Sequence, residues 1–242
     1  MDWFENWFDS RYYHILYKNR DNKEATMLIN NLLHRFKFNK NTAFLDLACG
    51  TGRHSIYLNK KGFKVEGVDL SIKSLEQAKK NENKTLQFYC EDIRNFSKKN
   101  HYNVILNLFT SFGYFQNESD NKKVFQNIHA SLKNQGLFIL DFFNPHQVIA
   151  KLKTHETKII DKVRFEIKKR HDEKFVYKEI CVTDKKNKHT FTEKVQLINK
   201  EQFINYTTDL NMKLLNSFGD YHLNNYDQQN SERLILVFQK DE

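Results

Sequence analysis

The sequence predicts a doubly wound α/β fold in which a parallel sheet is followed by an antiparallel insertion. Short apolar runs alternate with segments of helical periodicity up to residue 143, and longer extended segments replace them after Pro145. Strands that alternate with helices favour a parallel sheet, because each crossover helix packs back onto it. A chain of 242 residues suffices for one such domain with a substantial core.

Five strands are predicted before Pro145, after an N-terminal helical region of about 40 residues. The strands are Ala43–Leu47, Phe63–Asp69, Leu86–Cys90, Asn103–Phe109 and Leu137–Phe143. The predicted helices are one with apolar positions at Leu28, Ile29, Leu32, Leu33 and Phe36, then Arg53–Lys61, Ser71 to about Asn81, and one through Val124–Leu132. Ser71 is a suitable N-cap, and Gly62 and Gly136 follow helix ends, as their residue types favour.

The pattern changes after Pro145. Three extended segments with polar turns between them predict an antiparallel insertion: Lys158–Arg170, Lys174–Thr183 and His189–Leu197. Asn199, with Gln202 three residues later, resembles a capping box that opens a helix to Leu210. Two closing strands are then predicted, Met212–Phe218 and Arg233–Gln239.

The composition predicts a cytoplasmic protein. Cys49, Cys90 and Cys181 are far apart and odd in number, which indicates neither a disulfide framework nor a metal site. No apolar run is long enough to span a membrane, and the acidic, aromatic N-terminus is unlike a signal peptide. The formal charge of +9 is spread through Lys- and Asn-rich stretches instead of a basic stripe, which argues against nucleic acid as a partner.

The segment LDLACGTG, Leu45–Gly52, joins a predicted buried strand to a helix. Gly50 and Gly52 permit a tight turn and the close approach of a ligand, and the N-terminus of the following helix offers free N–H groups. Asp69 ends the next strand, where a carboxylate can accept hydrogen bonds from two ribose hydroxyls. The sequence therefore predicts a nucleoside-containing ligand at this turn.

Two classes of ligand use this arrangement. A dinucleotide motif needs a third glycine or alanine where this chain has Ser55, and a pyrophosphate is disfavoured by the carboxylate of Asp46 just before the turn. S-adenosylmethionine (SAM) carries a sulfonium and an ammonium group and no phosphate. The residues therefore favour SAM over a nicotinamide cofactor.

Four motifs in order resemble those of class I SAM-dependent methyltransferases. They are DLACGTGRH at Asp46–His54, VDLS at Val68–Ser71, CEDIRNF at Cys90–Phe96 and NLFTSFGYF at Asn107–Phe115. The fourth is similar to that of small-molecule N-methyltransferases related to the sugar-amine dimethylating enzymes. The resemblance implies a Rossmann-like, seven-stranded methyltransferase sheet at residues 41–150 and 199–242. It also implies an N-terminal helical lid at 1–40, and a β-rich insertion at 151–198 that covers the substrate side or mediates a homodimer.

The resemblance also implies a set of site residues. The residues expected around the methionine part of SAM are Asp46, Ala48, Gly50 and Gly52, with Asn107 and Leu108 as the floor near the amino acid moiety. The ribose and adenine are expected at Asp69, Leu70, Asp92 and Ile93. The lid is expected to supply Tyr13, Tyr17 and Arg20, with Arg20 pairing with the SAM carboxylate. Tyr13 and Tyr114 are the catalytic candidates, facing the transferred methyl group.

The implied reaction is methyl transfer from SAM to a small-molecule acceptor, with an amine as the first choice. Alignment of donor and acceptor and exclusion of water carry most of such a reaction, so no strong general base is required. Three alternatives stay open: an RNA- or protein-modifying methyltransferase, a nicotinamide-dependent oxidoreductase, and a SAM-binding regulator without an acceptor pocket.

Several residues of the motifs carry structural expectations as well. Arg53 either contacts the ligand or lies on the surface of the first helical turn, whereas His54 is expected to face the surface. Cys49 is expected to occupy its position in the turn because its side chain is small, and Asn103 is expected to have a structural role. The aromatic residues Trp3, Phe4, Trp7 and Phe8 are expected to pack the N-terminal helix onto the core.

Overall fold

The computed structural model describes residues 3–18 and 22–242. Its strands are β1 (Ala43–Leu47), β2 (Lys64–Asp69), β3 (Leu86–Cys90), β4 (Tyr102–Asn107), β5 (Leu132–Phe143), β6 (His155–Ile160), β7 (Val163–His171), β8 (Phe175–Asp184), β9 (Asn187–Gln196), β10 (Met212–Phe218) and β11 (Arg233–Lys240). Its helices are α1 (Trp3–Phe8), α2 (Arg11–Leu16), α3 (Asn22–Phe36), α4 (Arg53–Lys60), α5 (Ile72–Ala78), α6 (Glu118–Ser131), α7 (Pro145–Ala150) and α8 (Lys200–Asn205). None of the helices described is long and apolar enough to cross a membrane.

The main sheet confirms the predicted seven-stranded, Rossmann-like architecture. Its strand order is β10-β11-β5-β4-β1-β2-β3. Strands β5, β4, β1, β2 and β3 are parallel, whereas β11 runs antiparallel to both β5 and β10. Strands β2 and β3 lie on one side of β1, and the chain then returns to place β4 on the other side of β1. Ligands of such sheets bind beyond the carboxyl ends of the strands at this switch point.

Helices cover both faces of the main sheet. On one face, apolar residues of α3, α4 and α5 pack against the sheet; buried examples are Leu28, Ile29, Leu58 and Leu75, with Phe44 and Val104 from the strands. On the other face, α6 and α8 contribute Val124, Phe125, Ile128 and Phe203, which pack against Ile105 and Phe138. Both faces are therefore buried, as the apolar strand sequences predict.

The insertion is a four-stranded antiparallel sheet in the order β6-β7-β8-β9. The prediction of a single strand over Lys158–Arg170 is wrong, because the segment forms β6 and β7 with Ile160 paired to Val163. Asp161 and Lys162 turn the chain with φ values of 50° and 65°. Two-residue hairpin turns need such positive φ values, which glycine and asparagine favour and lysine does not, so the sequence carries no strong turn signal here.

Other boundaries also differ from prediction. The unpredicted helix α7 begins with Pro145 behind the N-cap Asn144, whose side chain accepts a hydrogen bond from the backbone N–H of His146, an arrangement that proline at the first helical position favours. Strand β5 begins five residues earlier than predicted, at Leu132, and α8 ends at Asn205 although its capping box is confirmed. Strand β4 ends at Asn107, because Phe109 and Thr110 adopt φ values of 58° and 60°.

Candidate active site

A cavity of about 580 Å³ lies at the carboxyl ends of β1, β2 and β4, beneath α1 and α2. Most of the site residues predicted from the sequence line it: Tyr13, Tyr17, Ala48, Gly50, Asp69, Leu70, Asp92, Ile93, Leu108 and Tyr114. Asp46, Gly52 and Asn107 lie behind its walls, and Arg20 lies outside the described residues. The topology thus brings together residues from segments that are far apart in the chain.

The glycine-containing turn after β1 leaves open space on its cavity side. A side chain added at Gly50, whose φ is 56°, would meet no atom within 4 Å. Gly52 faces the other way, since a Cβ there would lie 2.7 Å from the ring of Phe88. Ala48 also has a left-handed backbone, with φ of 56°, a conformation that costs an alanine energy and that glycine adopts freely. The backbone of the turn is therefore placed where a ligand can contact it directly.

Asp69 links the end of β2 to the glycine turn. Its Oδ2 accepts a hydrogen bond of 2.7 Å from the N–H of Gly50, and its Oδ1 accepts one of 2.8 Å from the N–H of Ser71. Burial raises the pKa of this carboxyl above its usual value. Each carboxylate oxygen has more than one lone pair, so Asp69 can also accept hydrogen bonds from a ligand in the cavity.

Asp46 supports the turn from behind. It is buried, and its Oδ2 accepts a hydrogen bond of 2.6 Å from the hydroxyl of Ser55. Burial raises its pKa to about 6, because an ionised carboxylate is poorly solvated there. Direct contact between Asp46 and a ligand stays a prediction, whereas its contact with the first turn of α4 is present in the structure.

The substitution Asp46→Asn is expected to stabilise the ligand-free protein by about 1–3 kcal/mol at pH 7. The unfolded state ionises near pH 4 but the folded state only near pH 6, so ionisation above pH 6 disfavours the folded state. The gain should shrink as the pH falls towards 4, where both states are protonated. Urea unfolding at pH 4.5 and 7.5 measures this difference, with exposed Asp209→Asn as control; a destabilised Asp46→Asn protein at pH 7.5 would contradict the expectation.

Asn107 braces the floor of the cavity. Its Nδ2 donates hydrogen bonds to the backbone oxygens of Leu47, at 3.1 Å, and Ser111, at 3.2 Å. Its Oδ1 is buried and has no hydrogen-bond partner among the described residues, which is a costly state for an amide oxygen. Asn107 thereby joins the end of β1 to the loop that follows β4.

Asp92 lies at the far end of the cavity with Leu70 and Ile93. Its carboxylate accepts hydrogen bonds from the guanidinium of Arg94, the shortest of them 2.6 Å. Burial alone would raise the pKa of Asp92, but the hydrogen bonds from Arg94 outweigh it and hold the pKa below its usual value. An ionised acceptor beside two aliphatic side chains suits a flat heterocycle that carries an amino group.

The two N-terminal helices close the cavity from above. Phe4 and Trp7 are buried, which confirms the packing expected of these aromatic residues, while Phe8 lines the cavity. The carboxylate of Glu193 on β9 accepts hydrogen bonds from Trp7 Nε1, at 2.7 Å, and from the Tyr17 hydroxyl, at 2.6 Å. These bonds fasten the two helices to the antiparallel sheet.

Tyr13 and Tyr114 both line this cavity. The Tyr114 hydroxyl donates a hydrogen bond of 2.5 Å to the backbone oxygen of Thr110, and its ring packs against Trp3 and Phe8. The donated proton fixes the orientation of the hydroxyl and leaves its oxygen able to accept a hydrogen bond.

A buried ion pair holds the loop that follows β4 and carries Tyr114. Asp141 on β5 is fully buried, and its Oδ1 accepts hydrogen bonds from the guanidinium of Arg233 at 2.7 and 2.8 Å. Its Oδ2 accepts a hydrogen bond of 2.8 Å from the N–H of Phe109, and Arg233 also donates to Thr110 Oγ1, at 3.0 Å. Asp141 and Arg233 thereby support the two loop residues with positive φ. Neither residue was singled out from the sequence, because their chain positions are far from the motifs.

The expectation that His54 faces the surface is wrong. His54 is 5% exposed, lines the cavity and packs its ring 5.1 Å from that of Phe109. Burial lowers its pKa to about 3, so the imidazole is neutral, and its Nε2 has no partner among the described residues. Arg53 also lines the cavity, with its guanidinium 4.3 Å from the Phe109 ring centre. The short turn into α4 directs both side chains inward, which residue type alone does not reveal.

Two structural expectations agree with the structure. Cys49 is buried, and its small side chain packs against Gly67, where an added Cβ would lie 2.9 Å from the Cys49 Sγ. Burial raises the pKa of the Cys49 thiol well above its usual value, which disfavours the reactive thiolate. Asn103 accepts a hydrogen bond of 3.0 Å from the N–H of Ala43 and thereby positions the start of β1.

A known protein family matches the strands and loops that form most of this cavity. Residues 44–136 match the family model described as a methyltransferase domain. This segment is similar to methyltransferase domains. The match includes the glycine turn, Asp69, Asp92 and the loop after β4, and it agrees with the family that the sequence motifs indicate. The matched segment supplies most of the cavity, and α1, α2 and the insertion complete it.

Individual proteins resemble this chain in sequence over part of its length and in fold over nearly all of it. A putative methyltransferase of Bacillus subtilis, YqeM, is 31% identical over 107 residues, which cover 43% of each chain. The chain therefore matches under half the length of this curated relative. A SAM-dependent methyltransferase of Clostridium acetobutylicum superposes with a TM-score of 0.80 over 96% of both chains at 20% identity. The sugar N-methyltransferase KedS8 of a Streptoalloteichus species gives 0.73 over 95% of this chain and 93% of its own, at 16% identity.

Proposed function

We propose that this protein is a SAM-dependent methyltransferase that methylates a small molecule, with an amine as the acceptor group. The open face of the turn at Gly50 carries this proposal, because the carboxylate of Asp69 lies directly against it in the same cavity. A half-buried carboxylate beside an accessible backbone turn suits the ribose and the cationic amino acid part of SAM.

The residues of the cavity fit SAM as the cofactor. Asp69 would hold the ribose hydroxyls, Asp92 would accept from the adenine amino group, and the apolar side chains of Leu70 and Ile93 would lie against the ring. The methionine part would lie along the turn at Ala48 and Gly50. The two carboxylates near this turn, from buried Asp46 and half-buried Asp69, oppose a pyrophosphate, which supports SAM over a dinucleotide.

The chemistry requires little beyond binding and alignment. Bound SAM would supply an electrophilic methyl group for the acceptor nitrogen, with S-adenosylhomocysteine as the leaving group and water as the proton acceptor. Tyr13 and Tyr114 would orient the acceptor by hydrogen bonds, while Phe4 and Phe8 exclude water from above. Such alignment can account for a large part of a rate enhancement, and it needs no ionised base.

An amine is the preferred acceptor because the fold over nearly the full chain is shared with a sugar N-methyltransferase. The position of the cavity beneath α1 and α2 supports a small acceptor over a folded RNA or protein.

Calorimetry with SAM, S-adenosylhomocysteine and NADH tests this proposal. We expect the first two to bind and NADH not to bind. Asp69→Ala should weaken SAM binding by about 1–3 kcal/mol, which is typical for lost hydrogen bonds to a charged group, whereas exposed Asp209→Ala should leave it unchanged. Binding of NADH without SAM would refute the proposal, and an unchanged affinity in the folded Asp69→Ala protein would show that the ribose is held elsewhere.

A further inference from the structure

A second cavity, of about 600 Å³, adjoins the first one. Phe8, Phe109 and Tyr114 line both cavities, so these three side chains form the boundary between them. The second cavity lies between the end of the main sheet, α7 and the antiparallel sheet, with walls from residues such as Phe143, Val148, Val176 and Val195. It is therefore placed to hold the body of a molecule whose reactive end enters the first cavity.

The polar lining of the second cavity is mainly cationic. Its cationic residues are Lys151, Lys153, Lys169, Lys178 and Arg233, and its carboxylates are Glu193 and Glu232. The first cavity differs, because the carboxylates Asp69, Glu91 and Asp92 outnumber the cations Lys18 and Arg53 in its lining. The two cavities thus offer different electrostatic environments to the two ends of a bound molecule.

Three of these five cations are already neutralised by neighbouring carboxylates. Arg233 pairs with Asp141 at 2.7 Å, Lys169 with Glu156 at 2.9 Å, and Lys178 with Glu193 at 3.4 Å.

Lys151 and Lys153 differ from these three. They follow α7 directly, and within residues 3–18 and 22–242 neither has an ion-pair partner. On the same wall, Gln147 has a buried Oε1 without a hydrogen-bond partner in the described part of the chain. Both ammonium groups are exposed, and they outnumber Glu232, a lining carboxylate that also has no ion pair among the described residues. Excess charge at the wall of a cleft with apolar sides attracts ligands of opposite charge.

We propose that the second cavity binds the body of the methyl acceptor and that Lys151 and Lys153 bind a carboxylate or phosphate on it. The inference rests on the proposed methyltransferase function and adds the charge of the substrate. An ammonium group is a point charge with three donors, which suits either anion. Aromatic side chains from Trp3, Phe8 and Tyr177 add apolar walls, so the acceptor combines an anionic group with a less polar body.

The test compares two pairs of amines that differ in one anionic group. The carboxylate pair is phenylalanine and phenylalaninamide, and the phosphate pair is glucosamine 6-phosphate and glucosamine. Ligand-observed NMR measures their binding to the protein saturated with S-adenosylhomocysteine, and release of S-adenosylhomocysteine from SAM measures turnover. The test variant is K151Q/K153Q, and the control is K185Q/K186Q, which removes the same charge from the exposed turn between β8 and β9.

We expect the anionic member of at least one pair to bind about tenfold more tightly than its neutral partner, which corresponds to about 1.4 kcal/mol. The K151Q/K153Q variant should lose this preference and keep its SAM affinity, whereas K185Q/K186Q should keep both. The pair that shows the preference identifies the anion as carboxylate or phosphate, and added salt should weaken it.

Equal binding within both pairs, no binding of either anionic compound, or a preference that survives in K151Q/K153Q would overturn the anionic acceptor site. Failure of the unmodified protein to bind SAM would instead overturn the methyltransferase function itself. The two failures are therefore distinguishable on the same samples.

Discussion

Asp141→Ala is expected to lower the free energy of unfolding by about 3–5 kcal/mol, the usual cost of removing one partner from a buried ion pair. Asp141 is fully buried, and the side chain of Arg233 is 20% exposed. Without Asp141 the guanidinium keeps its charge but loses its compensating carboxylate. The N–H of Phe109 also loses its acceptor, so the loop between the two cavities should lose order, and ligand affinity should fall with stability.

Urea unfolding followed by circular dichroism measures this loss. Glu166→Ala is the matched control, because Glu166 pairs with Arg164 on the surface of the antiparallel sheet, with both side chains about half exposed. Exposed pairs contribute at most about 1 kcal/mol. If Asp141→Ala cost no more than Glu166→Ala, the buried pair would not be the support that the structure indicates.

Tyr114→Phe and Tyr13→Phe are each expected to reduce turnover about ten- to a thousandfold while leaving SAM affinity nearly intact. The change removes one hydroxyl and keeps the ring, so the packing of Tyr114 against Trp3 and Phe8 is preserved. The Tyr114 hydroxyl is oriented by its hydrogen bond to Thr110, and an oriented oxygen can hold the acceptor amine in line with the methyl group.

Turnover is measured with the amine that the acceptor panel shows to react best, and SAM affinity by calorimetry. Tyr57→Phe is the control. The hydroxyl of Tyr57, on α4, donates a hydrogen bond to Asn30 of α3, so neither turnover nor SAM affinity should change. Unaltered turnover in Tyr114→Phe or Tyr13→Phe would mean that the tyrosine concerned serves only through its ring.

The sequence was sufficient for the parts of the fold that local patterns determine. Strands such as β1 and β3 were located to the residue, because each is a short, largely apolar run between polar or turn-forming residues. The turn at Gly50 and the carboxylate of Asp69 share one cavity because parallel strands end at one edge of the sheet.

Long-range contacts account for most of what could not be predicted. The partnership of Asp141 with Arg233 spans 92 residues, and the inward direction of His54 depends on Phe109 from another loop. The hairpin turn at Asp161 and Lys162 places a lysine at a positive φ that this residue type does not favour, so we attribute the turn to the pairing of β6 with β7. No local pattern in the sequence encodes these arrangements.

The carboxylate of Glu193 has a consequence for how the protein opens. It holds Trp7 of α1 and Tyr17 after α2, and it pairs with Lys178, which itself donates to the Tyr17 hydroxyl. We therefore expect the two helices and the antiparallel sheet to open as one cooperative unit in local unfolding, with amide hydrogens in both exchanging through a shared event. Entry to the cavity from above should then depend on how often this unit separates from the main sheet.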